Sequence, residues 1–177
     1  MPFEFHHLDA RTRTFMTSEI NSDLQAEKLH FSTNLSEEGC ANYPTLLLDA
    51  ANDGNDSSLA GSLVASFKSH EKPRKLASGA YSKPPIMRNN AHEMLAEGEF
   101  NRFYMRAICL RAIEDNIRTL IVYRAKKVNN SRSASEEMIG RHISAEALLN
   151  DLRTHVGVDV ALGLPPGPNS GLSVRFP

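Results

Sequence analysis

Seven histidines and two cysteines are the side chains in this 177-residue chain best able to hold a metal or carry a proton near neutral pH. Their spacing argues against both roles. His6 and His7 are adjacent, so an extended backbone points them apart, and His30, His70 and His92 stand alone. Zinc takes a closed set of four ligands or an open set of three, and neither Cys40 nor Cys109 has a partner close by in sequence. Residues 163–171, GLPPGPNSG, are glycine-rich but carry no lysine and lead into no helix. Pro165, Pro166 and Pro168 also remove amide donors that a phosphate cradle needs, so the stretch reads as a rigid turn or docking tail. No metal, cofactor or catalytic residue is expected.

Two enzyme-like orders fail on spacing. His142, Asn150 and His155 follow the order of an HNH nuclease, but they are too close together and no strand pair brackets them. Tyr123-Arg124 follows an apolar strand, with Ser131, Ser133, Ser135, Glu136 and Glu137 soon after. That is the Arg/Ser-x-Ser/Glu order of ADP-ribosyltransferases, whose three elements lie on well-separated strands, whereas here they crowd into one turn. A restriction-type nuclease needs an acid on its strand, and Leu120–Tyr123 carries none.

Arginine in an apolar helix is the more informative pattern. In the segment 93–117, Phe103, Leu110, Ile113 and Ile117 form one apolar stripe at helical spacing. Tyr104, Met105, Ile108 and Ala112 form a second, with Arg102, Arg106 and Arg111 between them and Arg118 just beyond. A surface helix needs a single apolar face; one with two is enclosed by a large core or gripped by a partner. For a chain of this size the partner is the expectation. The first stripe is assigned to the subunit's own core. Arg102, Tyr104, Met105, Arg106, Ile108, Arg111 and Arg118 are assigned to an interface, because arginine pairs with carboxylates and stacks on aromatics there. Ion pairs with Glu99, Glu114 or Asp115 are the alternative use of these arginines.

The surrounding elements are legible from caps and periodicity. Asp9 caps a helix to about Glu27, and Ser36 caps a second that Pro44 should break or restart before Asn52–Asn55. Asp56 caps a third, with Leu59, Leu63, Val64 and Phe67 on one side. After the long helix come the strand Leu120–Tyr123, a polar turn over 126–135, a helix capped by Ser144, and a final strand Leu172–Phe176. The fold class is α+β, dominated by helix: a helical part over 1–67, an extended basic arm over 68–92, and an α/β part with a small sheet over 93–177.

Charge is segregated along the chain. Residues 1–60 carry a net −7 and residues 61–132 a net +8, although the total is −1. Acidic and basic parts therefore attract, within one chain or between copies. The arm is basic, with Lys72, Arg74, Lys75 and Lys83 around Tyr81, and holds three prolines among residues 68–90. Such a composition buries too little to offset its ordering, so a neighbouring subunit should hold it. No run approaches the ~18 apolar residues of a membrane span. The two cysteines give no disulfide framework, which points to a reducing cytoplasm.

The residues GEFNRFYMRAICLRAIE (98–114), VYRAKKV (122–128) and ALGLPPGPNSGLSVRF (161–176) resemble a type of small protein encoded among tailed-phage and prophage morphogenesis genes. These are associated with head assembly and the head–tail junction, and the likeness covers about the last half of the chain. It implies a virion component, made in the host cytoplasm, that works through contacts with itself as a symmetric homo-oligomer and with other virion proteins. It implies no chemistry. The alternative is a nucleic-acid-binding or processing factor that uses the basic middle region for non-specific DNA contact.

Overall fold

The computed structural model describes residues 3–128, 133–155 and 170–177. The polar residues 129–132 and the glycine- and proline-rich stretch 156–169 lie outside them. The order of elements is α1 (Ala10–Gln25), α2 (Glu37–Asp53), α3 (Asp56–Leu63) with a short 3₁₀ turn (Val64–Ser66), α4 (Ala91–Glu114), β1 (Thr119–Arg124), α5 (Ser133–Met138), β2 (His142–Ser144), α6 (Ala145–Thr154) and β3 (Leu172–Arg175). The three strands form one antiparallel sheet in the order β2-β1-β3, with Leu120 opposite Ile143 and Val122 opposite Val174. The fold is a helix-dominated α+β arrangement.

Most boundaries follow local chemistry. Asp9, Ser36 and Ser144 each accept a backbone N–H from three residues on, so they cap α1, α2 and α6. The cap of α3 is Asn55 rather than Asp56. Asn55 and Ser58 satisfy each other's backbone in a capping box, and Asp56 is buried in the first turn. Pro44 does not interrupt α2, which runs unbroken from Glu37 to Asp53. Proline sacrifices a hydrogen bond there, but Tyr43, Leu47, Ala50 and Ala51 are buried along the same helix and packing outweighs the loss.

α4 is the axis of the molecule. It packs against α1, α3, α6 and the sheet, and all eleven residues from Glu99 to Cys109 are buried. The N-terminal segment covers another side: the Phe5 ring lies 4.6 Å from Tyr104 and 5.2 Å from Phe100, and the His7 amide donates to the Tyr104 hydroxyl. Phe103 of the first stripe faces the chain's own core as expected, but the second stripe joins it there. Tyr104, Met105 and Ile108, assigned to a partner, lie inside the chain's own core, whereas Leu110 and Ile117 are half-buried and Ile113 reaches solvent. A 24-residue helix is ~36 Å long, and the chain encloses its middle with three helices, the N-terminal segment and a sheet.

Because Phe103 and Tyr104 share one core, replacing either by alanine should cost ~3–5 kcal/mol of monomer stability. Urea melts of the two variants check this. A Tyr104→Ala protein that melts like the parent but assembles poorly would put that ring back on the outside.

Candidate functional site

The arginines of α4 are anchored within the chain. Arg106, 2% exposed, donates through Nε to Glu19 at 2.6 Å and through both terminal nitrogens to Asp23 at 2.7 and 2.8 Å. Its guanidinium also lies 4.9 Å from the centre of the Phe103 ring. Arg153 of α6 reaches the same Glu19 carboxylate at 2.5 and 3.0 Å. One buried cluster thus ties α1, α4 and α6. Burial alone would raise the Glu19 carboxyl, but the hydrogen bonds from Arg153 and the charge and bonds of Arg106 outweigh it and hold the group below the usual carboxylate range. Arg102 pairs with Glu99, both buried. Arg111 bridges to Asp9 and Thr12 and lies over the Phe176 ring. Only Arg118 is exposed, with no ion pair among the described residues. The interface assigned to these side chains is therefore interior for Arg102, Tyr104, Met105, Arg106 and Ile108. A helix covered on every side must pair its arginines internally.

The acids that hold Arg106 have a signal in the sequence. Glu19 and Asp23 share the α1 face of Met16 and Ile20, at i+3 and i+7 from Met16, and a carboxylate on a core face calls for a cation.

The arm is a hairpin that closes on itself, not an unpaired extension. His70 bridges Ile86 and Lys75 bridges Tyr81, both antiparallel, with hydrogen bonds from Glu71 N to Pro85 O, Ser82 N to Arg74 O and Met87 N to Ser69 O. At the tip, the Leu76 and Gly79 amides close the turn on Ala80 O and Leu76 O, and Gly79 takes φ +84, which suits glycine. Pro73, Pro84 and Pro85 have no N–H to give, so the ladder stays sparse. The stretch is thus paired with itself along a sparse backbone ladder, with little apolar burial to support it. None of the residues 68–90 is buried, and Lys72, Arg74, Lys75, Tyr81 and Lys83 are all exposed. Leu76, Tyr81 and Ile86 are 48%, 69% and 78% exposed, so Leu76 and Ile86 join the expected Tyr81 in an exposed apolar set. Within the arm, Glu71 pairs with Arg88, which holds its carboxyl below the ordinary range, and only loosely with Arg74 at 3.6 Å.

The root of the hairpin is rigid. The Ser66 carbonyl accepts from both the amide and the hydroxyl of Ser36, Leu35 bridges Phe67, and Lys68 donates to Asn34 and Thr33 carbonyls. Gly39 is needed at this joint, since a Cβ there would sit 2.1 Å from the Ser66 carbonyl oxygen.

The side chains considered for chemistry are dispersed, with one exception. Arg124 and Glu136 meet at 2.8 Å, while His142 touches Thr119 and His155 bonds Asp151. Among the described residues no three His, Cys, Asp or Glu side chains are grouped to hold a metal. Nor is any helix among them long and apolar enough to cross a membrane. A half-open cavity of about 330 Å³ runs along α4, lined by Arg102, Asn101, Glu99, Met105, Phe67 and Leu172 among others. Its acids are already engaged, Glu99 by Arg102 and Glu97 by Lys126. No family model, curated protein or solved structure matches the chain.

Arg106→Met should cost ~3–5 kcal/mol, because Asp23 would stay buried without its cation and Glu19 would keep only Arg153. The lowered carboxyl of Glu19 stabilises the fold fully above its ordinary value of about 4.5 and loses that contribution as pH falls toward the folded value. Denaturant titrations at several pH values should therefore show the acid slope of the parent reduced in Glu19→Gln. An unchanged slope would assign acid unfolding to other groups.

Proposed function

We propose that the chain is a non-enzymatic assembly subunit, a tailed-phage virion component at the head–tail junction or capsid, and that the hairpin between α3 and α4 is the element that engages its neighbours. One observation carries the reading. The hairpin holds three large exposed apolar side chains, residues 68–90 carry a net charge of +5, and none of them is buried on its own chain. An isolated two-stranded hairpin is marginal in water, and exposed Leu, Tyr and Ile on such an element suit a surface that another protein covers. With α4's arginines paired inside the chain, the exposed hairpin takes the place of the helix as the proposed interface.

The same hairpin favours a second reading, contact with nucleic acid, since Lys72, Lys75 and Lys83 have no ion pair among the described residues and Tyr81 stands exposed beside them. Salt separates the two. Light scattering on the purified chain should reveal association, and the triple variant Leu76→Ser, Tyr81→Ser, Ile86→Ser should weaken it ~100-fold or more with melting unchanged. In filter binding, affinity for duplex or single-stranded DNA should be weak. Tight binding that falls ~10³–10⁵-fold between 50 and 200 mM salt would transfer the hairpin to the nucleic-acid reading.

A further inference from the structure

The charge imbalance of the chain is settled internally in one place and left open in two. Asp9, Glu19 and Asp23 of the acidic N-terminal third are taken by Arg111, Arg106 and Arg153. The acids of α2 are not. That helix contains Glu37, Glu38, Asp49 and Asp53 and no lysine or arginine, and all four carboxylates are exposed with no ion pair among the described residues. Glu38, Asn42, Thr45, Asp49, Asn52 and Asp53 recur at spacings of three and four, so they form one exposed stripe down the helix. Arg13, which reaches the end of α2, is occupied with the carbonyls of Ala50, Ala51 and Gly54.

From this we infer that the hairpin of one copy lies along the acidic face of α2 of a second copy. The inference rests on the assembly reading above and names its partner. Three features match. Residues 68–90 carry +5, of which the hairpin arms 69–87 hold +3, and α2 carries −4, with no ion pairs beyond those of Glu71 among the described residues. Their lengths agree: from Glu38 to Asp53 the stripe is ~22 Å long at 1.5 Å per residue, and the hairpin arms, eight residues each from 69 to 76 and 80 to 87, extend ~26 Å. The hairpin is also rooted at Asn34–Ser36, beside the start of α2, yet none of its residues is buried on its own chain. The lysines would face the stripe, and Leu76, Tyr81 and Ile86 would pack on the aliphatic parts of the helix surface, a contact neither surface makes alone. Hairpin against helix either repeats heterologously, closing a ring where the rotation allows, or is exchanged reciprocally as an isologous two-fold pair.

Charge reversal tests it on the full chain. One variant carries Lys72→Glu, Lys75→Glu and Lys83→Glu; a second carries Glu38→Lys, Asp49→Lys and Asp53→Lys. A third, Asp49→Lys with Asp53→Lys, avoids the first turn of α2 should Glu38→Lys disturb folding. Circular dichroism melts check that each folds. By light scattering at low salt, wild type should give a multiple of 19.6 kDa. Each reversed variant alone should associate ~10-fold or more weakly. An equimolar mixture of the first and second variants, and a single chain carrying all six changes, should recover association. Reversed variants that associate like wild type, or a mixture that does not recover, would overturn the pairing and leave the assembly reading standing. A wild type that stays monomeric throughout would overturn this inference together with self-assembly.

Discussion

Enclosing the middle of α4 is the constraint from which the rest of the architecture follows. Eleven successive buried residues include Glu99, Asn101, Arg102 and Arg106, so the helix brings charge into a region where unpaired charge costs several kcal/mol. Each must find a partner, on a covering element or within α4 itself. Asn101 bonds the Leu172 carbonyl of β3, Arg102 turns back to Glu99, and Arg106 reaches Glu19 and Asp23 on α1. A well-packed apolar replacement would be as stable or more so. What the cluster adds is geometry. Both terminal nitrogens of Arg106 bond Asp23 while Nε bonds Glu19, and sliding α1 by a turn of ~5.4 Å would break all three at once. Arg153 carries the same constraint to α6.

That anchoring changes what the overall charge pattern means. Taken over the chain, an acidic first third and a basic middle describe a single attraction. In the fold it divides. The α1 acids and the α4 arginines meet inside one chain, where desolvation makes geometry decisive and salt nearly irrelevant. The α2 acids and the hairpin lysines remain in water, where attraction falls off over a Debye length of ~8 Å at physiological salt. The first set specifies the tertiary structure. The second makes no ion pair among the described residues, and its separation onto two exposed surfaces is the physical basis for looking outside the chain.

Much of the helical frame was legible because its signals are local. Asp9, Ser36 and Ser144 sit immediately before apolar periodicity and cap as their chemistry requires. The strands at 119–124 and 172–175 were bracketed to within a residue. What failed depends on counting distant neighbours. Two apolar stripes on α4 say that two sides are covered, but not by what. The answer included Phe5 and His7, from a segment with no periodic pattern of its own. The hairpin was hidden for the opposite reason. Its prolines and polar residues carry no strand alternation, and only Gly79 marks the turn that its backbone pairing closes. Pro44 shows the limit of a breaker rule, since a helix held by Tyr43, Leu47 and Ala50 tolerates one missing hydrogen bond.

The hairpin's rigid root bears on how an arm of this composition could bind at all. A flexible basic tail must order many residues on docking, at ~1–2 kcal/mol for each backbone unit fixed. Here Ser36, Leu35 and Lys68 have already set its direction, and backbone pairs as far as the Leu76–Ala80 tip have set its shape. In the proposed assembly that entropy is lost during folding rather than at the interface, so modest contacts suffice. Division of labour between the contacts then follows from range. Lysines acting across solvent guide the approach and make its rate sensitive to salt. Leu76, Tyr81 and Ile86 act only in contact, and so set how long two subunits stay together.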